Sequence, residues 1–163
     1  MQTLITKKIE EIDFNKLMDI YEESNWENLS MVESDIDEKS DKNILYQKVR
    51  QAYTDYLKND FLKSGKNYLA ILIDEKSYLS ALRLFDGGKY FLLEALETNP
   101  SFRRKGYGEK LLSKVLDNFA NREEIRSEVG KNNKKSLNLH KKLGFKIKEE
   151  REKNYLLVFK EDS

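Results

Sequence analysis

The 163-residue chain has no cysteine, one proline and one histidine. Without cysteine there is no disulfide, no thiolate metal site and no cysteinyl acyl-enzyme. A single histidine, His140, cannot build a histidine-rich zinc site, so no metal is expected. Long apolar runs are missing too. No window approaches the length of a membrane span, and the opening MQTLITKKIEEID lacks the apolar stretch of a signal peptide. These absences predict a cytoplasmic protein with no membrane partner. Linkers rich in proline, glycine or serine and internal repeats are also absent, so residues 1–163 are expected to form one domain.

What is present suits a packed core: 39% of residues are hydrophobic and 11% aromatic. The charged fraction of 36% is unevenly placed. Residues 1–98 hold 13 Lys/Arg against 19 Asp/Glu, a net of −6; residues 99–163 hold 17 against 10, a net of +7. The C-terminal part therefore attracts an anion and the N-terminal part a cation. In the basic part the cations are interleaved with Glu109, Glu123, Glu124 and Glu128, and no aromatic-rich basic stripe occurs. Nucleic acid is not an expected partner.

Periodicity divides the chain further. TLITKKI (3–9) reads as a strand, and DFNKLMDIYEES (13–24) as a helix capped by Asp13. Residues 24–41 are acidic without a clear period, a long loop or a broken helix. KNILYQKVRQAYTDYLKNDFLKSG (42–65) reads as a long helix stopped by Gly65. Three strands follow, NYLAILID (67–74), SYLSALRLF (77–85) and KYFLLEALET (89–98), joined by turns short enough for an antiparallel meander. A helix over 106–121, a strand over 124–130, a helix over 133–144 and the strands FKIKEE and NYLLVFK complete the pattern. The strand–helix–strand around 106–121 demands a parallel crossover. The fold class is therefore α/β (α+β): a mixed, mostly antiparallel sheet of about seven strands with four helices. An exposed edge on NYLLVFK is a candidate for pairing between chains, which leaves monomer and homodimer both open.

Two stretches carry chemistry. In NPSFRRKGYGEKLL (99–112), Gly106 and Gly108 lead into a helix whose first N–H groups lack partners. A backbone that curls there forms a nest for phosphate oxygens, and Arg103, Arg104 and Lys105 add charge at its mouth. The third glycine of a dinucleotide fingerprint and the lysine pattern of a nucleotide P-loop are both missing. In NKKSLNLHKKLG, Asn133, Ser136 and His140 lie three and four residues apart and share one helix face.

Together, LETNPSFRRKGYGEKLL and NNKKSLNLHKKLGF resemble the GNAT superfamily of N-acyltransferases. Arg103, Gly106 and Gly108 fill that family's [QR]-x-x-G-x-[GA] pyrophosphate loop. Asn133, Ser136, Leu139, Lys142, Gly144 and Phe145 fill its second element, with His140 where the family usually has tyrosine. The resemblance implies a parallel pair, FLLEALET and EIRSEV, that splays apart to admit acetyl-CoA. It implies direct acetyl transfer, in a ternary complex, to a primary amine of a small molecule or peptide. Leu96 and Thr98 would pair with the pantetheine arm, with an N–H near Leu96 holding the thioester oxygen. The amides of Arg104, Lys105, Gly106, Tyr107, Gly108 and Glu109 would take the pyrophosphate, with Asn133 and Ser136 reaching the arm.

The attacking ammonium must lose a proton. Strand alternation puts Glu94 with Leu96 and Thr98, and Glu97 with Ala95. If Leu96 and Thr98 face the acyl group, Glu94 is the base, and Glu97 is the alternative. His140, as imidazolium, would protonate the leaving thiolate. The acidic segment 22–41, with Glu22, Glu23, Glu27, Glu33, Asp35, Asp37, Glu38, Asp41 and Trp26, suits a cationic amine. The competing reading is a non-catalytic acyl-CoA sensor.

Overall fold

The computed structural model describes residues 1–29, 41–119 and 124–160. Seven strands form one sheet: β1 (Gln2–Thr6), β2 (Tyr68–Asp74), β3 (Ser77–Asp86), β4 (Tyr90–Thr98), β5 (Glu124–Gly130), β6 (Lys146–Glu150) and β7 (Asn154–Phe159). Their spatial order is β1-β2-β3-β4-β5-β7-β6. Only β4 and β5 run parallel, joined by the crossover helix α4 (Tyr107–Phe119). The other helices are α1 (Phe14–Ile20), α2 (Glu22–Glu27), α3 (Lys42–Tyr56) and α5 (Lys134–Lys142).

The sheet is covered on both faces, and alternation in β2 shows why. Ala70 and Leu72 point to one side and Leu69 and Ile71 to the other, as a two-residue period requires. On the first face Leu111, Leu112, Val115, Leu116 and Phe119 of α4 bury against Leu82, Leu84, Leu93 and Ile125. On the second, Leu17, Met18, Ile20 and Tyr21 pack over Leu69, Ile71 and Ala81.

Several elements depart from the expected ones. The helix expected over 13–24 divides at Tyr21 (φ −90, ψ 16), so five α-helices are present among the described residues instead of four. Tyr21 is fully buried and its hydroxyl donates to the carbonyl of Ala95 at 2.8 Å. A long-range contact, invisible to local periodicity, sets the break. The helix over 42–65 becomes a π-helical turn at Leu57–Phe61 and ends before Gly65 (φ +72). β7 is no edge, since it lies between β5 and β6. The edge is β6, whose five residues are all exposed and include Lys146, Lys148, Glu149 and Glu150. Such charge discourages pairing with a second chain.

The departure that matters most lies in β4. Its register against β3 jumps from Arg83↔Glu94 to Ala81↔Glu97, and Ala95 takes φ +54. This is a β-bulge, with one extra residue that reverses the alternation beyond it. Leu96 joins Phe91 and Leu93 on the α4 face, while Ala95 packs with the α1–α3 cluster. Glu94 and Glu97 therefore occupy the same face, opposite Leu96. Simple alternation, which grouped Glu94 with Leu96 and Thr98, fails at this point.

Candidate active site

The site begins where the parallel pair opens. β4 and β5 are hydrogen-bonded only as far as Leu93↔Ser127, although β4 runs on to Thr98 and β5 to Gly130. Beyond that rung the facing edge of β4, including Leu96 and Thr98, has no ladder partner among the described residues. An extended amide-bearing ligand can add itself to such an edge.

The basic loop follows directly. Asn99 caps a short 3-10 turn at Pro100–Phe102, and Phe102 anchors it on the core. Arg104 (φ +66) and Gly106 (φ +77) then take left-handed conformations before α4 starts. The first intrahelical bond is donated by Lys110 to Gly106 at 3.0 Å, so the amides of Tyr107, Gly108 and Glu109 have no acceptor within the helix. A Cβ placed on Gly106 would meet nothing within 4 Å, so its surroundings are open to a ligand. One on Gly108 would come within 3.4 Å of Thr98 Oγ1, which sets how closely α4 approaches the end of β4. Arg103, Arg104 and Lys105 are exposed. Arg103 forms an ion pair with Glu23 of α2, and Glu109 is held by Lys142 of α5 at 2.8 Å. Amides without helical acceptors, an unhindered glycine and positive charge beside a strand fork suit an anionic ligand such as a diphosphate.

On α5, Asn133 is exposed and caps the helix, its Oδ1 accepting from the Ser136 amide at 3.1 Å. His140 is 2% exposed. Its Nδ1 lies 2.7 Å from the Ser136 carbonyl and 3.4 Å from the Ser136 hydroxyl, and its Nε2 lies 2.9 Å from Ser127 Oγ. A carbonyl only accepts, so Nδ1 carries the proton and Nε2 accepts from the Ser127 hydroxyl. Burial lowers the pKa of His140 below its ordinary value, with the Ser136 carbonyl pulling the other way. The ring is thus neutral at pH 7, with its one proton engaged, and the expected imidazolium acid does not match this environment. Ser127 was missed in the sequence. Its signal there is a lone hydroxyl between the inward positions Ile125 and Val129.

The opposite face of the sheet holds a cavity of about 530 Å³, walled by Tyr21, Tyr53, Tyr56, Arg83, Ala95 and Glu97 together with the end of α2. Glu97 Oε2 is buried with no hydrogen-bond partner among the described residues. Burial is the main force that raises its pKa to about 6, with the Ser24 hydroxyl and Arg103 acting in the other direction. Burial also pushes the Tyr21 phenol up, and that of Tyr53 to about 12, so both stay protonated. Glu94 instead approaches Arg83 at 3.7 Å, is a third exposed, and does not line the cavity. The tyrosines and Arg83 were not anticipated, because they lie far apart in the chain and converge only in the fold.

The acidic segment is described only at its two ends. Glu22, Glu23 and Glu27 are exposed on α2, and Asp41 caps α3 through the Asn43 amide at 2.9 Å. Trp26 stacks on Tyr46 at 4.5 Å, joining α2 to α3. Glu33, Asp35, Asp37 and Glu38 lie outside the described residues. Among the described residues no acidic or histidine cluster suits a metal, and no helix is long and apolar enough to cross a membrane.

A splayed parallel pair, an amide nest at one mouth and a carboxylate-bearing cavity across the sheet define an acyltransferase of the coenzyme A-dependent class. A sequence model of the acetyltransferase (GNAT) family matches residues 21–145, and the chain belongs to that family. No curated protein sequence matches the chain. The PaiA N-acetyltransferase of Thermoplasma acidophilum, solved in complex with coenzyme A, is similar in structure at a TM-score of 0.68 with 17% identity, covering 99% of this chain and 100% of that one. An N-acetyltransferase from Staphylococcus aureus Mu50 gives a TM-score of 0.68 with 15% identity, covering 96% and 100%. A variant of the spermidine N-acetyltransferase SpeG from Vibrio cholerae gives 0.54 with 14% identity, covering 70% and 73%.

Proposed function

We propose that this protein transfers the acetyl group of acetyl-CoA directly to a primary amine of a small molecule, with Glu97 as the proton acceptor. The observation that carries the reading is the position of Glu97. One of its carboxylate oxygens is buried without a partner among the described residues, and it stands at the wall of a partly enclosed cavity, one residue beyond Leu96 and on the other face of the sheet. A ligand gripped by the 104–109 amides and laid along β4 brings its thioester to the fork from one side. An amine in the cavity reaches the same point from the other side, which suits a ternary complex.

Glu97 takes a proton from the entering ammonium, directly or through one water. A base with a pKa of about 6 is ionised at neutral pH and still basic enough for the task. The unpaired N–H groups of β4 near Leu96 stabilise the oxyanion. The leaving thiolate belongs to a thiol of pKa near 8.5 and needs little acid assistance, so the role given to His140 is to hold Ser127 and Ser136 at the base of the fork.

The test is release of free thiol from acetyl-CoA with a panel of amines, together with calorimetry of coenzyme A binding. Gly106→Glu is expected to weaken coenzyme A binding by about 100-fold, because it places a carboxylate against the diphosphate. Its Cβ has open space, so the loss should come with only about 1–2 kcal/mol of left-handed backbone strain. Unchanged affinity in this variant would remove the nest from the proposal. Tight coenzyme A binding without thiol release from any amine would favour a sensor.

A further inference from the structure

We infer that the acceptor is a free amino acid, or a close amino-carboxylate, with an apolar side chain, its ammonium at Glu97 and its carboxylate on Arg83. The inference rests on the amine-acetylating reading above and names the substrate class of the same cavity.

Two charged side chains of opposite sign line the cavity. Glu97 Oε2 and Arg83 Nε are both buried without a hydrogen-bond partner among the described residues. Among the described residues Arg83 is the only cation on the wall, and the carboxylate it pairs with there, Glu94, stays at 3.7 Å, beyond hydrogen-bond length. The guanidinium is fixed between three rings, with centroids at 5.7 Å for Tyr53, 5.6 Å for Tyr56 and 5.5 Å for Phe61. A planar fork immobilised in this way, and still short of acceptors, is suited to a carboxylate. One cation beside a carboxylate matches a monoanion better than a phosphate dianion.

The spacing agrees. Arg83 stands opposite Glu94, and Glu97 opposite Ala81, so the two groups project from positions two residues apart along β3, roughly 7 Å. The ammonium and carboxylate of an amino acid bridge such a gap with one hydrogen bond at each end. The tyrosine rings leave an apolar wall for the side chain. A polyamine fits poorly, because its second ammonium would meet Arg83 where it needs an anion. Of the acidic segment expected to suit a cationic amine, Glu22, Glu23 and Glu27 do not line the cavity.

The experiment compares matched ligands on the full-length protein: phenylalanine with 2-phenylethylamine, leucine with 3-methylbutylamine, and spermidine. Binding is measured by calorimetry in the presence of coenzyme A, and turnover by thiol release from acetyl-CoA. Each amino acid should bind about 100-fold more tightly than its decarboxylated partner. Arg83→Met should bring that ratio close to one, with Arg83→Lys intermediate. The ligand comparison on the unmodified protein stands even if a variant folds poorly. Equal or tighter binding of the decarboxylated amines, or preference for spermidine, overturns the inference. Thiol release that ignores the carboxylate overturns it while leaving acetyl transfer standing. Carboxylate-selective binding without thiol release upholds it and removes acetyl transfer instead.

Discussion

Two side chains make opposite predictions about acid–base chemistry. Glu97 must be ionised to accept a proton, so the rate should rise with pH through about 6. Glu97→Gln should remove that limb and lower kcat by about 10²–10³. Its folded pKa is raised from 4.5 to about 6, so the ionised form is disfavoured by folding, and stability is lost as pH climbs from 4.5 through about 6 and stays lost above it. The same variant should therefore raise Tm at pH 8 more than at pH 4.5, in melts at both values. His140 has the opposite sign. A lowered folded pKa leaves stability complete above 6.5 and erodes it as pH falls below that value. His140→Phe orphans the buried Ser127 hydroxyl, and about 1–3 kcal/mol of stability should be lost. Its kcat should move by less than about tenfold, against the 10²–10⁴ expected of a general acid. A steady-state pH profile beside a denaturant melt separates the two roles.

At the scale of elements, the decisive unit is the bulge in β4. Ala95 at φ +54 turns Glu97 into the cavity, and the Tyr21 hydroxyl holds its carbonyl at 2.8 Å. Ala95→Val puts a β-branched side chain into a left-handed residue and should cost about 1–2 kcal/mol or more. It should also reduce kcat, as the strand relaxes toward regular alternation. Ala95→Gly should be tolerated, and comparing Tm and kcat for the pair checks this. The bulge also explains what was legible beforehand. The order of elements along the chain, the crossover and the basic loop followed from periodicity and from glycine chemistry at 106 and 108, which are local, whereas the interior place of β7 did not. The facing of Glu94 and Glu97 did not, because an alanine gives no warning of a positive φ. The break at Tyr21 was hidden for the same reason, being set by a partner 74 residues away. The cavity wall was the least legible, since Tyr21, Tyr53, Tyr56 and Arg83 come from segments far apart in the chain and meet only in the fold.

At the scale of the whole molecule, charge and burial are distributed so that the two ligands should answer differently to salt. The N-terminal 98 residues carry −6 and the remainder +7, and the loop proposed to take the diphosphate lies in the basic part. Its cations Arg103, Arg104 and Lys105 are exposed. Exposed charges are screened within about 10 Å at 0.1 M salt and about 3 Å at 1 M. Coenzyme A affinity should therefore fall by about tenfold or more between 0.05 and 0.5 M sodium chloride. Arg83 and Glu97 face a partly enclosed cavity, where their field is screened far less. The Michaelis constant for the amine, measured at saturating acetyl-CoA, should change by about threefold or less across the same range. If the Michaelis constant rose steeply as the coenzyme A affinity fell, the amine would be bound by exposed charge, and the exposed acidic face of α2 would replace the cavity as the acceptor site. If neither moved, the grip on the diphosphate would rest on backbone amides and the α4 dipole, with the exposed cations contributing little.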